Sequence, residues 1–449
     1  MTDAPLSQRF ADAMGQLLGP DFPTDLGLAI SGGGDSMAML YLTHNWTREY
    51  GVRLWGVTVD HGLRAESAAE AAMVAEECAA LGWPHATLCW HWDGSGNVQD
   101  AARRARLALI DRWRGNVRHV LFAHTRDDQA ETVLMRLARG SGVDGLAGMR
   151  AAREIAPHAH SVLELTSQDM SGDAPPRNEV QPGYQVLRPC LDLGRAELRH
   201  YLTVLKGRWV DDPSNENTDF ERVRIRKFLA LLQQEGFATG VLSDTARRMA
   251  RARDGLTARL VEAVRLLCSD APLGQVIVDR DGFAALDDET RLRLLTAALR
   301  YVSGSEYRPR AASSEALLQQ ILSGGGGTLH GAEVLVEKTN LRILREVAAV
   351  SGDVAPLGGL WDNQWHLEGS VEPLPETAVV RALGEDGWCQ IEDRAGLTVP
   401  FRGALSAPSV WLGSTLLACP VLGIGPEMCV SRHVLGRPDT GFEAFCLSH

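Results

Sequence analysis

None of the eight cysteines pairs with another in a Cys-x-x-Cys spacing. That scatter argues against a zinc ribbon, an iron–sulfur cluster and a disulfide scaffold, and it suits a reduced, cytoplasmic compartment. The N-terminal stretch lacks the basic-then-apolar pattern of a secretory signal and carries Asp3 instead. No apolar run is long and unbroken enough to span a bilayer. The longest, Val410 to Ile424, is interrupted by Pro420 and by glycines and reads as buried strands, so no membrane partner is expected. An excess of positive charge is missing too: 45 Lys and Arg stand against 57 Asp and Glu, a net charge of −12. Taken over the whole chain, that weighs against a nucleic-acid partner. No internal repeat is evident.

What is present is the composition of a folded chain, 45% hydrophobic and 23% charged, with a length of 449 that suggests two or three domains. The charge is uneven. From Arg222 to Arg265 there are ten Arg and Lys against four Asp and Glu, and from Asp100 to Arg114 five Arg against two Asp. Fields decay over about 10 Å at ordinary salt, so a locally basic surface can still hold phosphates. The competing reading of these stretches is a solvated arginine-rich helix face.

In the first 140 residues short apolar runs alternate with helical patterns. Strands are expected at 26–30, 54–59, 86–90 and 119–123, and helices at 36–46, 66–81, 98–113 and 127–139. That alternation implies an α/β fold, a doubly wound parallel sheet with helices on both faces. Ligands in such sheets lie beyond the carboxyl ends of the strands. Three such ends are rich in polar residues: Ser31 to Ser36, Asp60 to Arg64, and His124 to Asp128. The polar, proline-bearing stretch 153–185 reads as a long surface loop. Helical patterns follow from Leu191 to about Arg265 and over 280–322, where Leu292, Leu295 and Leu299 share a face. A β pattern runs from Thr328 to Leu344, and the last hundred residues read as short strands. Domain boundaries are placed at 1–215 (nucleotide-binding), 216–345 (mostly helical) and 346–449 (small and β-rich or mixed α/β).

The sharpest motif is Ser31-Gly32-Gly33-Gly34-Asp35-Ser36, between the first strand and its helix. A glycine-rich turn that opens a helix offers backbone N–H groups and the positive end of the helix dipole to a phosphate. It is not a Walker loop, which ends in Gly-Lys-Ser/Thr after a longer spacer. It resembles the SGGxDS signature of the N-type ATP pyrophosphatases, the PP-loop enzymes. Four further elements follow in order: His61-Gly62-Leu63-Arg64; Asp127-Asp128-Gln129-Ala130-Glu131-Thr132 after His124; Asp212-Pro213-Ser214-Asn215; and Arg222, Arg224 and Arg226. Together they resemble one branch of that superfamily, the tRNA(Ile)-lysidine synthetases, strongly over 26–150 and 186–230 and thinly beyond 345.

The resemblance implies an adenine nucleotide α-hydrolase-like domain followed by tRNA-contacting regions. It implies an AMP-forming ligase that joins free L-lysine to carbon 2 of the wobble cytidine of a tRNA(Ile) with a CAU anticodon, using ATP and Mg2+. Ser31, Gly32, Gly33, Gly34, Asp35, Ser36, His61 and His124 would bind ATP, with Asp35 at the metal. Asp127, Asp128 and Glu131 would bind lysine. Arg222, Arg224 and Arg226 would bind tRNA, and Asp35, Asp128 and Arg222 would carry the chemistry. Each residue has a plainer reading as well. The acids could cap a helix, Glu131 could form a helix-face ion pair, the histidines could be hydrogen-bonded turn residues, and the arginines could be ordinary surface residues. A homodimer is compatible with the resemblance. The alternatives are another PP-loop tRNA-modifying or amide-forming enzyme and a non-catalytic ATP-binding module. A thiolase would ordinarily use the cysteine pair that is missing here.

Overall fold

The computed structural model describes residues 4–62, 66–92, 94, 96, 98–156, 165–178, 183–211, 221–370, 374–394, 396–397 and 399–448. Leu63, Arg64 and Asp212 to Asn215 lie outside the described residues. The chain divides into two compact units, Met1–Arg253 and Asp254–His449, where the sequence places boundaries at 215 and 345.

The first unit runs α1 (Leu6–Leu18), β1 (Asp25–Ala29), α2 (Gly34–Tyr50), β2 (Arg53–Asp60), α3 (Ser67–Ala80), β3 (His85–Cys89), α4 (Val98–Trp113) and β4 (His119–Phe122). It continues with α5 (Arg126–Ala138), α6 (Val143–Leu146), β5 (Ala152–Ile155), β6 (Met170–Gly172), β7 (Tyr184–Leu187), α7 (Arg195–Val204), α8 (Glu221–Gln234) and α9 (Thr239–Leu267), whose last residues belong to the second unit. The seven strands form one sheet in the order β5-β7-β4-β1-β2-β3-β6. Its five central strands are parallel, and β5 and β6 run antiparallel at the edges. The order reverses at β1, so the crevice beyond the ends of β1 and β4 is where a doubly wound sheet binds its ligand.

The central strands are apolar on both faces because helices cover both. Leu26, Leu28, Leu54, Val57, Val120 and Leu121 are all buried. Each such side chain contributes roughly 1.5–3 kcal/mol of burial free energy, which fixes the strand ends from which the polar turns project.

The stretch read as a surface loop, 153–185, is corrected by the structure. It contains most of β5, all of β6 and the start of β7, and β7 pairs in parallel with β4. Tyr184, Val186 and Leu187 are fully buried. A four-residue strand leaves too short an alternation to stand out, and tertiary pairing supplies what local pattern cannot.

The second unit contains β8 (Cys268–Ala271), β9 (Gln275–Asp279), α10 (Arg280–Ala285), α11 (Asp288–Ser303), α12 (Ala311–Leu322), β10 (Gly327–Leu329), β11 (Ala332–Val336) and β12 (Asn340–Arg345). These form a five-stranded sheet packed with helices, in the order β10-β11-β12-β9-β8. Two four-stranded antiparallel sheets of short strands occupy the region from Val354 to Pro438. Within it, the apolar stretch from Val410 contributes buried strand residues such as Val410 and Trp411. Among the described residues no helix is long and apolar enough to cross a membrane.

Candidate active site

The turn between β1 and α2 has the backbone its sequence calls for. Gly32 sits at φ +81°, a left-handed conformation open to glycine at little cost. Gly33 caps α2 without a side chain. Ser36 Oγ donates to the Gly33 carbonyl at 2.9 Å and accepts from the Ser31 N–H at 3.2 Å, which ties the turn to the helix. The segment after α7 lies over this turn: the Val210 N–H donates to the Gly32 carbonyl at 2.9 Å. A Cβ placed on Gly34 would stand 3.4 Å from Arg199 Cγ and 3.6 Å from the Trp209 ring.

Asp35, in the first turn of α2, points into a cluster of charged side chains. Its Oδ2 accepts from Arg195 Nε at 3.0 Å, while its Oδ1 is buried with no hydrogen-bond partner among the described residues. Burial raises the pKa of Asp35 above its ordinary value, against the opposing pull of Arg195.

α5 supplies the acids. Asp128 closes a capping box: its Oδ2 accepts from the Thr125 N–H at 2.8 Å and from Thr125 Oγ1 at 2.9 Å. Its other oxygen accepts from Arg195 Nη2 at 2.9 Å and Arg222 Nη2 at 2.8 Å. Capping and the charge cluster are therefore both served by this one carboxylate. Asp127 Oδ2 accepts from the Arg195 backbone N–H at 2.8 Å. Glu131, one turn along, has a side chain only 1% exposed and accepts from three guanidiniums: Arg195 at 3.2 Å, Arg222 at 2.7 Å and Arg226 at 2.9 Å.

Arg222 and Arg226 thus reach the strand ends from α8, bound to carboxylates rather than displayed to solvent alone. Arg224 lies between them on the exposed side of the helix. Burial works against the charges of Arg195 and Arg222, but the neighbouring Asp and Glu outweigh it and hold both pKa values above the ordinary arginine range. Within this network the guanidiniums of Arg195, Arg222 and Arg226 bond to Asp35, Asp128 and Glu131, Asp127 takes the Arg195 backbone N–H, and Arg199 adds its charge near Asp35.

The histidines sit at neighbouring strand ends. Arg188 Nε donates to His124 Nδ1 at 3.1 Å, and the ring stacks parallel to Phe122 with centroids 6.1 Å apart. Burial, reinforced by Arg188, Arg106 and Arg222, pushes its pKa down to about 2, so His124 is neutral at working pH. His61 meets Trp90 edge-on at 5.6 Å, and its Nδ1 is buried without a partner among the described residues. Burial and then Arg106 lower its pKa. Neutral rings at these positions can hydrogen-bond or stack on a heterocyclic base without adding charge.

Arg195 is the site residue that sequence reasoning missed. Among the described residues it is the one that touches all of Asp35, Asp127, Asp128 and Glu131. The signal was incomplete: Gly194 and Arg195 open a helix, but the strand before it, β7, was not read from the sequence.

Residues 6–233 match the family model described as a PP-loop domain. An ATP-binding PP-loop fold is the class that the sheet order and the β1–α2 turn define. The chain is similar to the tRNA(Ile)-lysidine synthase of Ruegeria pomeroyi, 39% identical over 430 residues that cover 95% of each chain. It is 35% identical to that of Hyphomonas neptunium, over 85% of this chain and 97% of the relative. With that of Rhizobium meliloti it shares 32% identity over 94% of this chain and 89% of the relative. The chain belongs to the tRNA(Ile)-lysidine synthase family.

Proposed function

We propose that this protein is an AMP-forming ligase that builds lysidine at the wobble cytidine of a tRNA(Ile) with a CAU anticodon. Family membership supports the reaction, and the carboxylates gathered on α5 at the strand end support its second substrate. Asp127, which takes a backbone N–H and no guanidinium among the described residues, leaves its charge for one more cation, which free L-lysine supplies.

The first step makes a leaving group. The oxygen on carbon 2 of cytosine attacks the α-phosphorus of ATP, a P–O bond forms, and pyrophosphate departs. The N–H groups of the Ser31–Ser36 turn and the N-terminus of α2 receive the phosphates, and His61 and His124 flank the nucleotide as neutral rings. Asp35, with its unpartnered buried Oδ1, fits a Mg2+ that arrives with ATP. Mg2+ keeps several waters and takes phosphate oxygens, so one protein carboxylate is enough to hold it beside the nucleotide. When bound, such an ion neutralises charge on the departing pyrophosphate.

In the second step the lysine ε-amine attacks carbon 2, a C–N bond forms, and AMP leaves with the oxygen. Asp127, Asp128 and Glu131 bind the incoming ammonium, and a carboxylate there takes the proton that frees the amine. Arg195 and Arg222 hold these acids in place. Arg222 and Arg226, at the rim, reach toward tRNA phosphate.

The test is release of labelled AMP and pyrophosphate. Adenylation requires the tRNA but not lysine, and turnover to AMP requires both. A transcript with uridine at the wobble position gives neither. Lysine incorporation without tRNA, or pyrophosphate exchange indifferent to the anticodon, would overturn the assignment.

A further inference from the structure

α8 and α9 form a hairpin whose inner side packs on α5: Ala130, Val133, Leu229, Leu242 and Ala246 make one buried cluster. Gly236, at φ +84°, turns the chain between them. The outer side of the tip is unlike the rest of the unit's surface. Phe228 is 50% exposed, Leu231 59%, Phe237 40% and Val241 50%. Two aromatic and two aliphatic side chains this open, all within fourteen residues about one turn, expose more apolar surface than a stray residue does.

The charge beside it is positive on balance: from 227 to 251, Lys227, Arg247, Arg248 and Arg251 stand against Glu235 and Asp244, and Asp244 pairs with Arg247. Lys227 precedes Phe228 on α8. On α9, Arg248 lies two turns beyond Val241 on the same face, and Arg251 follows one turn later; both are exposed. The line from Val241 to Arg251 covers about 15 Å at 1.5 Å per residue, the reach of a few nucleotides. In a chain of net charge −12, this juxtaposition of open rings and unburied cations selects a polyanion that also offers flat apolar faces.

We propose that the α8–α9 tip is a stacking platform for unpaired bases of the tRNA substrate, with Arg248 and Arg251 holding the phosphates that follow. The inference rests on the lysidine-forming reading and adds a surface to it. Unpaired bases stack on aromatic side chains whatever their sequence, and cations beside the rings track the backbone. The same helix carries Arg222 and Arg226 into the carboxylate network, so α8 would link base stacking at its outer face to the reacting cytidine at its inner one.

The experiment uses the full chain and a fluorescent tRNA(Ile) transcript, with dissociation constants measured across a salt series. Lysine-dependent AMP release by the wild type is checked first; its failure overturns both readings. Replacing Phe228 and Phe237 together with alanine weakens binding about tenfold or more and leaves the log–log salt slope unchanged. Leucine at both positions weakens it as much, and tryptophan at both preserves it. Arg248→Ala with Arg251→Ala flattens the slope by roughly 1.4 to 1.8. An active wild type whose double-alanine or double-leucine variant binds the transcript normally overturns the platform alone. So does sedimentation showing a wild-type dimer that the double-alanine variant dissociates, because the patch then joins two copies of this chain.

Discussion

Replacing Glu131 with glutamine should be among the most damaging isosteric changes in the first unit. The side chain keeps its volume, so no cavity contributes to the loss. What disappears is the one counter-charge that three guanidiniums share, in a position 1% exposed. Removing one partner of a buried ion pair costs about 3–5 kcal/mol. Here the figure falls toward the lower end, because the Arg222 and Arg226 side chains are 44% and 35% exposed and recover some hydration. Arg195, with a side chain 20% exposed, cannot do so to the same degree. A loss of about 3 kcal/mol corresponds to a fall in melting temperature of roughly 6–12 °C for a unit of this size. Thermal unfolding followed by circular dichroism, wild type against Glu131→Gln at pH 7, measures it. ATP–pyrophosphate exchange at a temperature where both proteins are folded then separates stability from activity. A melting temperature within ~1 °C of the wild type would refute the reasoning, since the three arginines would then need no charge at residue 131.

Three other outcomes are expected. Asp35→Ala should cut ATP–pyrophosphate exchange at least ~100-fold while circular dichroism stays native, and near-normal exchange would remove Asp35 from the reaction centre. Asp128→Asn should raise the Michaelis constant for lysine more than that for ATP; if it and Asp127→Asn both keep the wild-type lysine dependence, the amino-acid site lies elsewhere. His85 is 9% exposed, and burial pushes its pKa down to about 4. Its folded pKa lies below the unfolded value, so its share of stability is full above pH ~6.5 and falls by about 1.4 kcal/mol per pH unit down to pH ~4. His85→Gln should flatten that part of the denaturation profile, and an unchanged slope would mean that His85 takes up its proton without unfolding.

The parts of this molecule legible in the sequence are those with local causes. The Ser31–Ser36 turn is written in its glycines and in the apolar run before it. Asp127 and Asp128 stand out as candidates because they open the helix after a strand end, whereas Glu131, a turn further on, reads equally well as a helix-face ion pair. Arg195 was not legible, although its own helix start is ordinary. It reaches Asp35 only because β7 lies beside β4 and returns the chain to the crevice, where the Arg126 N–H donates to the Leu193 carbonyl at 2.9 Å. Reading 153–185 as a loop removed β7, and with β7 gone nothing placed Arg195 near the acids. The partners of Arg222 and Arg226 were hidden for a similar reason. Their contacts with Glu131 span more than ninety residues, and no periodicity within α8 encodes them.

Arg195 divides a single guanidinium between two clients: Nε goes to Asp35 beside the phosphate turn, and the two Nη atoms go to Glu131 and Asp128. With Asp35 serving the nucleotide and the α5 acids serving lysine, as proposed above, such a shared donor makes the two sites a thermodynamic pair. A ligand cation that occupies Asp35 loosens one of the three bonds, and the freed guanidinium is then available to the acids on α5. A lysine ammonium that claims those acids likewise pushes the guanidinium back toward Asp35. Linkage requires that the two effects be equal in size: whatever factor ATP with Mg2+ imposes on lysine affinity, lysine imposes on nucleotide affinity. Calorimetric titration of each ligand with and without the other measures that factor, and Arg195→Lys, which keeps the charge but lacks the fork, should bring it close to one. A factor of one in the wild type would mean that the bridge carries structure and no communication.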